Sequence, residues 1–322
     1  MLQPIIDLHH HAFPAEFIEA ISKKGMKNKI VDVILALQWD LKKDLAFMDE
    51  LGIQTAFVSV LGLGDFLAGD IAFARDLSRL GNEYCAKLMQ NDPQRYGAFA
   101  TLPLPDLESA LKELEYALDV LKLDGVILSS NYEGYYLGDP RFDELFSELN
   151  RRKAVVFIHP DTPAGIDMTN VGFNASLVDY PHDTTRVAVH LVLNGVLAKY
   201  PDIRFILSHA GGTLPYLMSR ITGAEGIVYP HKNFPHSIEY YFKQFFYDTA
   251  LTTSPSTFAC LHSLVDTSQI VYGSDYPFRN TEYMKTALNG LRSVQEFDEN
   301  ALESIQRGNA IHLFPRLMGM NE

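Results

Sequence analysis

Eight times along the chain a short apolar or β-branched run gives way to a longer stretch with helical periodicity, and that alternation leaves few architectures open. The runs are Pro4 to His9, Thr55 to Leu61, Tyr96 to Leu102, Gly125 to Ser130, Ala154 to His159, Ile203 to Ser208, Phe245 to Thr249 and Ile270 to Gly273. Between them the spacing predicts helices over Leu41 to Leu51, Leu67 to Met89, Leu107 to Leu121, Arg141 to Arg152, Thr184 to Lys199 and Ser256 to Leu264. Glu282 to Arg292 and Asp298 to Ala310 close the chain in the same way. Strands alternating with helical crossovers make a parallel sheet. Eight such units without a linker-like break predict an α/β fold, a TIM-type (β/α)8 barrel, as a single domain over residues 1–322. The alternative, an open doubly wound sheet, lacks its phosphate fingerprint G-x-G-x-x-G here.

Local signals agree. Asp183 before Thr184 and Thr185 reads as a helix N-cap, Asp106 and Asp139-Pro140 as further helix entries, and Pro201 as a stop. The stretch 13–39, rich in Lys and without clear periodicity, reads as a long loop over the active-site mouth. With 47% hydrophobic and 21% charged residues the composition is that of a globular protein. A formal charge of −13 argues against a nucleic-acid or anionic-membrane surface. Two cysteines, Cys85 and Cys260, are too few for a disulfide framework, so a reducing cytoplasm is the expected home. No export signal and no apolar run of about 18 residues is evident, so neither secretion nor membrane spanning is expected.

The chemistry gathers where the expected strands end. In an extended strand side chains alternate, so His9 and His11 project together while His10 points away. Further along, His159 follows the fifth strand, His209 the sixth and Asp275 the eighth. In a barrel these C-terminal ends share one face, where active sites are built. Three imidazoles and a carboxylate can hold a Zn²⁺-like ion with a position left open. Taken singly, each residue has a plain structural reading: a histidine capping a loop carbonyl, or Asp275 capping a turn before Pro277. Their joint occurrence at the ends of four strands favours a metal site. His182, His190, His231, His236, His262 and His312 lack such a pattern and read as solvated or locally bonded.

The ordered motifs Asp7-Leu8-His9-His10-His11, Phe157-Ile158-His159-Pro160, Ser208-His209-Ala210-Gly211-Gly212 and Tyr272-Gly273-Ser274-Asp275-Tyr276-Pro277 resemble the amidohydrolase superfamily. Within it the chain is similar to the metal-dependent decarboxylases related to aminocarboxymuconate-semialdehyde decarboxylase and 6-methylsalicylate decarboxylase. Met48 to Ile53, Tyr96 to Pro105, Asp124 to Val126, Phe142 to Phe146 and Gly308 to Ala310 extend the likeness nearly end to end. The resemblance implies metal ligation by His9, His11, His159 and Asp275, with His209 beside the metal-bound water or substrate. Binuclear relatives carry a bridging lysine at the end of the fourth strand, where this chain has Ser129-Ser130-Asn131, so one divalent ion is expected, Zn²⁺ first and Mn²⁺ compatible. The aminocarboxymuconate enzymes place an arginine after the first strand, yet none occurs here before Arg75, which favours a monocarboxylic acid.

The resulting expectation is a non-oxidative decarboxylase of a small 2-hydroxybenzoate-like carboxylic acid, a carboxy-lyase, with a homodimer implied by the resemblance. Asp275, with a raised pKa, would supply the proton to the ring carbon and His209 would orient the substrate or shuttle the proton. Phe13, Trp39, Tyr132 and Phe278 fall near strand ends and could flank a ring. The other reading is a metal-dependent hydrolase of a lactone or amide, or a hydratase, in which His209 activates water.

Overall fold

A computed structural model describes residues 4–25, 29–61, 69–163, 172–224, 234–252 and 254–318. Eight parallel strands form one sheet: β1 (Ile5–His11), β2 (Ile53–Ser59), β3 (Tyr96–Thr101), β4 (Gly125–Ser129), β7 (Val155–His159), β8 (Arg204–Leu207), β9 (Phe246–Asp248) and β10 (Ile270–Val271). Two short antiparallel strands, β5 (Asn131–Tyr132) and β6 (Tyr135–Tyr136), make a hairpin between β4 and β7. The sheet closes on itself. Leu8 N donates to Tyr272 O at 2.9 Å, His11 N to Tyr276 O at 2.8 Å and Asp275 N to His9 O at 2.8 Å. Asp7 staples the same seam, accepting from Ser274 N at 3.0 Å and Ser274 Oγ at 2.5 Å. Every expected strand is present in a (β/α)8 barrel, with ends shifted by no more than two residues.

The barrel interior is apolar at its floor and polar at its rim. Ile6, Leu8, Phe57, Phe99, Ile127, Phe157, Ile206 and Val271 fill the lower layers. Phe314, from the C-terminal segment, seals the floor with its ring 4.4 Å from that of Phe57. Toward the C-terminal ends Ser59, Thr101, Ser129, His159 and Asp248 take over, all buried. A second and larger core lies between barrel and helices, where Ala56, Val58, Ala98, Val126 and Val156 meet the crossovers. This division is the period-two alternation of strands buried on both faces.

Seven helices bear on the site: α1 (Ala15–Lys24), α2 (Lys29–Leu37), α3 (Leu41–Leu51), α4 (Ile71–Asn91), α5 (Leu107–Glu115), α6 (Asp143–Arg151) and α7 (Asp179–Leu193). Asp40, Asp70 and Asp106 cap α3, α4 and α5 by accepting from the backbone N–H three residues on. Two expectations are corrected here. The stretch 13–39 carries the helices α1 and α2, because Phe17 and Ile21, and then Val31 and Ile34, are buried against Phe13, Val60 and Leu77 and draw a lysine-rich segment into helices. Asp183 is no N-cap: α7 starts at Asp179, and Asp183 lies one turn inside it, fully buried. Pro181 sits in the first turn of α7, where its missing N–H breaks no bond.

Candidate functional site

The site begins with an irregularity in β1. Asp7 lies opposite Ala56 but His10 opposite Val58, so β1 carries one residue more than β2 between these pairs. Such a bulge shifts the alternation. Ile6 and Leu8 face the interior below it, and His9 and His11 face the interior above it, although strict alternation would have turned His10 inward. His10 instead points out of the barrel, fully buried between Asp7 (Nδ1, 3.0 Å) and Asp44 (Nε2, 2.8 Å) and stacked on Tyr276.

His159 ends its strand, whereas His209 and Asp275 arrive through strained turns. His209 and Ala210 have φ of 53° and 55°, and Asp275 has φ of 59°, the left-handed region that costs a non-glycine residue on the order of 1 kcal/mol or more. Gly212, at φ 65°, admits no side chain, since a Cβ would lie 1.8 Å from Pro181 O. The turn is held by Asp248, whose Oδ1 accepts from His209 N at 2.7 Å and Ala250 N at 3.0 Å.

Four sequence-predicted residues converge. One ligand atom from each of His9, His11, His159 and Asp275 lies within 4.8 Å of the others, and all four residues are buried. Each imidazole has its Nδ1 occupied elsewhere: His9 against Asp248 Oδ2 at 2.6 Å, His11 against Ser59 Oγ at 3.2 Å, and His159 against Pro160 O at 2.8 Å. That leaves the three Nε2 atoms to face one point, the arrangement by which a partner on one ring nitrogen aims the other at a metal. His9 Nε2, His11 Nε2 and Asp275 Oδ1 are buried without a hydrogen-bond partner, although Oδ1 lies only 3.1 and 3.3 Å from the two nitrogens. Unpaired buried polar atoms are costly, and a cation among them satisfies all of them together. These residues therefore fit a divalent metal site.

The electrostatics favour a cation there as well. Burial opposes charge on His9, yet the Asp275 and Asp248 carboxylates outweigh it and lift the imidazole to about 10. Burial pushes His11 down to about 4 and His159 well below its ordinary value, so both are neutral, as ligands must be. Burial also pushes the Asp275 carboxyl up, but His9, His11 and His209 around it prevail and hold it well below the usual carboxylate range. The raised Asp275 demanded by a proton-donating role is thus corrected: three imidazoles keep it a carboxylate. His209 lies beside it, Nε2 to Asp275 Oδ2 at 3.4 Å.

A cavity of about 350 Å³ opens over the cluster, lined by Ser129, His159, Tyr180, His209, Asp275 and Phe278 and walled by apolar residues that include Val33 and Leu37 of α2. Of the four aromatic candidates only Phe278 lines it. Phe13 packs behind His11, Trp39 donates its Nε1 to Asp44, and Tyr132 is spent on Ser129 N. Sequence reasoning missed Asp248, which orients both His9 and the His209 turn; it lay inside the expected strand Phe245 to Thr249, whereas Asp275 stood out by following its strand. It also missed Tyr180 and Arg279, which line the cavity from loop and helix positions with no periodic signature. Of the remaining histidines, His182 bonds Thr213 and His236 packs on Tyr240, while His231 lies outside the described residues.

Fold and site together define a class, a (β/α)8 barrel with a divalent-metal site at the C-terminal ends of its strands. The chain belongs to the amidohydrolase family, which it matches over residues 6–316. It is 34% identical over 321 residues to the 6-methylsalicylic acid decarboxylase of Penicillium expansum, covering 98% of this chain and 97% of the relative. To the corresponding enzyme of Aspergillus aculeatus it is 35% identical, covering 97% and 96%. Its fold is that of a dihydroxybenzoic acid decarboxylase from Polaromonas, solved with manganese and 2-nitroresorcinol, with TM-score 0.82 and 23% identity over 98% of this chain and 97% of that one.

Proposed function

We propose that the protein is a metal-dependent, non-oxidative decarboxylase of a small aromatic acid with a hydroxyl beside the carboxylate, the substrate class of the relatives it is similar to from end to end. The observation that carries the reading is the convergence of His9, His11, His159 and Asp275, next to His209, beneath a largely apolar cavity open to a flat ring. One divalent ion is held by those four residues. Three imidazoles and a carboxylate accept Zn²⁺ or Mn²⁺, and Ser129 stands where a second ion would need a bridging lysine. When bound, the ion supplies Lewis acidity toward the substrate carboxylate and its neighbouring phenolic oxygen.

The chain's own groups handle the proton. His209 and Asp275 act as a pair, with Asp275 remaining a carboxylate and its Oδ2 lying 3.4 Å from His209 Nε2. His209 then gives its proton to the ring carbon that bears the carboxyl group, which costs the ring its aromaticity. The bond to the carboxyl carbon breaks, its electron pair returns to the ring, and CO₂ leaves. No redox partner is needed. Phe278 flanks the ring, and the segment 13–39, part of a single domain, closes the mouth through α2. A cytoplasmic homodimer belongs to the same proposal, supported by two free cysteines and the family resemblance.

The experiment is a metal-replete assay of 2-hydroxybenzoates and small lactones, following CO₂ and ring opening side by side. Metal-dependent CO₂ release is expected; lactone opening without CO₂ would replace the decarboxylase with a hydrolase whose base is His209.

A further inference from the structure

Behind the cavity wall lies a carboxylate that the chemistry above leaves unused. Asp183 is fully buried on α7 and receives hydrogen bonds from Ser130 Oγ and Tyr136 Oη, with Asn131 Nδ2 at 3.4 Å and the half-exposed Arg186 guanidinium at 3.7 Å. Burial pushes its carboxyl above the ordinary range, against the pull of those hydroxyls. A buried carboxylate without a full counter-charge is expensive to keep, so its place in the fold calls for a return.

The donors show what that return is. Ser130 Oγ, while donating to Asp183, accepts from Asp161 N at 3.0 Å, and Ser130 N donates to His159 O at 2.9 Å. Both ends of the His159-Pro160-Asp161 turn are therefore tied to one serine, whose hydroxyl direction is set by Asp183. Pro160 O is the acceptor that holds His159 Nδ1 at 2.8 Å and so aims its Nε2. Tyr136 brings the β5–β6 hairpin to the same carboxylate. One turn before Asp183 on α7, Tyr180 lines the cavity with its ring edge-on to His159.

We propose that Asp183 is a positioning residue that, through Ser130, fixes the turn carrying His159 and so sets the aim of His159 Nε2 into the site. The proposal rests on the reading of His159 as a metal ligand. Without the Asp183 carboxylate the Ser130 hydroxyl is free to rotate, the Asp161 amide loses its oriented acceptor, and the Pro160 carbonyl that steers the imidazole is no longer held. Asn in its place keeps an acceptor for Tyr136 and presents an NH₂ to Ser130, whose hydroxyl can turn to accept, so it restores most of the tie.

The test compares wild type with Asp183→Ala, Asp183→Asn, Ser130→Ala and His159→Ala, by amide hydrogen exchange at Asp161 without metal and by Mn²⁺ titration against a chelator. Asp183→Ala is expected to speed exchange at Asp161 and to weaken Mn²⁺ binding at least about tenfold, the usual range for groups that orient a ligand. Asp183→Asn should recover most of both. Ser130→Ala, which only removes the bridge, covers the case in which Asp183→Ala does not fold. It should match Asp183→Ala in Mn²⁺ affinity, and the double variant should be no worse than either alone. Wild-type Mn²⁺ affinity and Asp161 exchange in folded Asp183→Ala or Ser130→Ala overturn the proposal, as does a lowered melting temperature with unchanged affinity. Wild-type Mn²⁺ affinity in His159→Ala overturns the ligand reading instead, independently of the exchange result.

Discussion

Replacing Asp248 with Asn changes one atom and should disable the metal centre through a tautomer. Asp248 is fully buried and its two oxygens have different tasks. Oδ1 accepts from two backbone donors, His209 N at 2.7 Å and Ala250 N at 3.0 Å, while Oδ2 meets His9 Nδ1 at 2.6 Å. Asn has one oxygen. If the amide group turned its NH₂ toward the two backbone donors, both would be left unpaired in the interior at about 1–3 kcal/mol each. Backbone amides cannot exchange roles, but an imidazole can. The Asn oxygen therefore stays on the backbone donors, its NH₂ faces His9 Nδ1, and His9 moves its proton to Nε2, the atom aimed at the site. A protonated Nε2 cannot ligate. Loss of a ligand-orienting partner costs 10- to 100-fold in metal affinity, about 1.4–2.8 kcal/mol. Competition of Mn²⁺ or Zn²⁺ against a chelator reads this directly, with circular dichroism to verify folding. Wild-type metal affinity in folded Asp248→Asn would refute the reasoning, because it would mean that His9 does not need Asp248 to present Nε2.

The remaining expectations concern proton, charge and packing. His209→Gln should retain its metal yet lose about 10²–10⁴ in kcat, the range for a positioned acid; unchanged kcat at full metal content would remove His209 from the proton path. Because Asp275 and Asp248 lift His9 to about 10, this pairing stabilises the metal-free protein fully below about pH 6.5 and fades as pH rises toward 10. Metal must displace that proton, so affinity should climb between these values and binding near pH 7.5 should release about one proton. Calorimetry in two buffers of different ionisation enthalpy measures it, and zero release would contradict the charge balance described. Phe278→Ala should raise KM about 2- to 12-fold with a smaller effect on kcat, the worth of one aromatic contact; an unchanged KM would place the ring elsewhere.

Much of this was legible in the chain alone, for a definite physical reason. Strands buried on both faces must be apolar runs, and crossovers must repeat every 3.6 residues, so the eight strands and a helix such as Leu41–Leu51 are written locally. A barrel then sends every strand end to one face, so His9, His11, His159, His209 and Asp275 could be grouped without coordinates. What depended on distant partners could not be read. The helices α1 and α2 form because Phe17, Ile21, Val31 and Ile34 find Val60 and Leu77 to cover them. The bulge that turns His9 and His11 inward exists only in the pairing of β1 with β2. Asp183 carries the sequence signature of a helix cap and is instead the buried acceptor of Ser130 and Tyr136, some fifty residues away. Asp248 becomes meaningful only 239 residues from His9, where barrel closure brings the two to 2.6 Å. The sequence by itself determined the alternation of strands and helices and the kinds of side chain at the strand ends, because these are properties of neighbours along the chain. Which nitrogen each histidine presents, which carboxylate orients and which remains exposed to the cavity, and which aromatic ring lines that cavity were decided by tertiary structure, because hydrogen bonds and charge act through space.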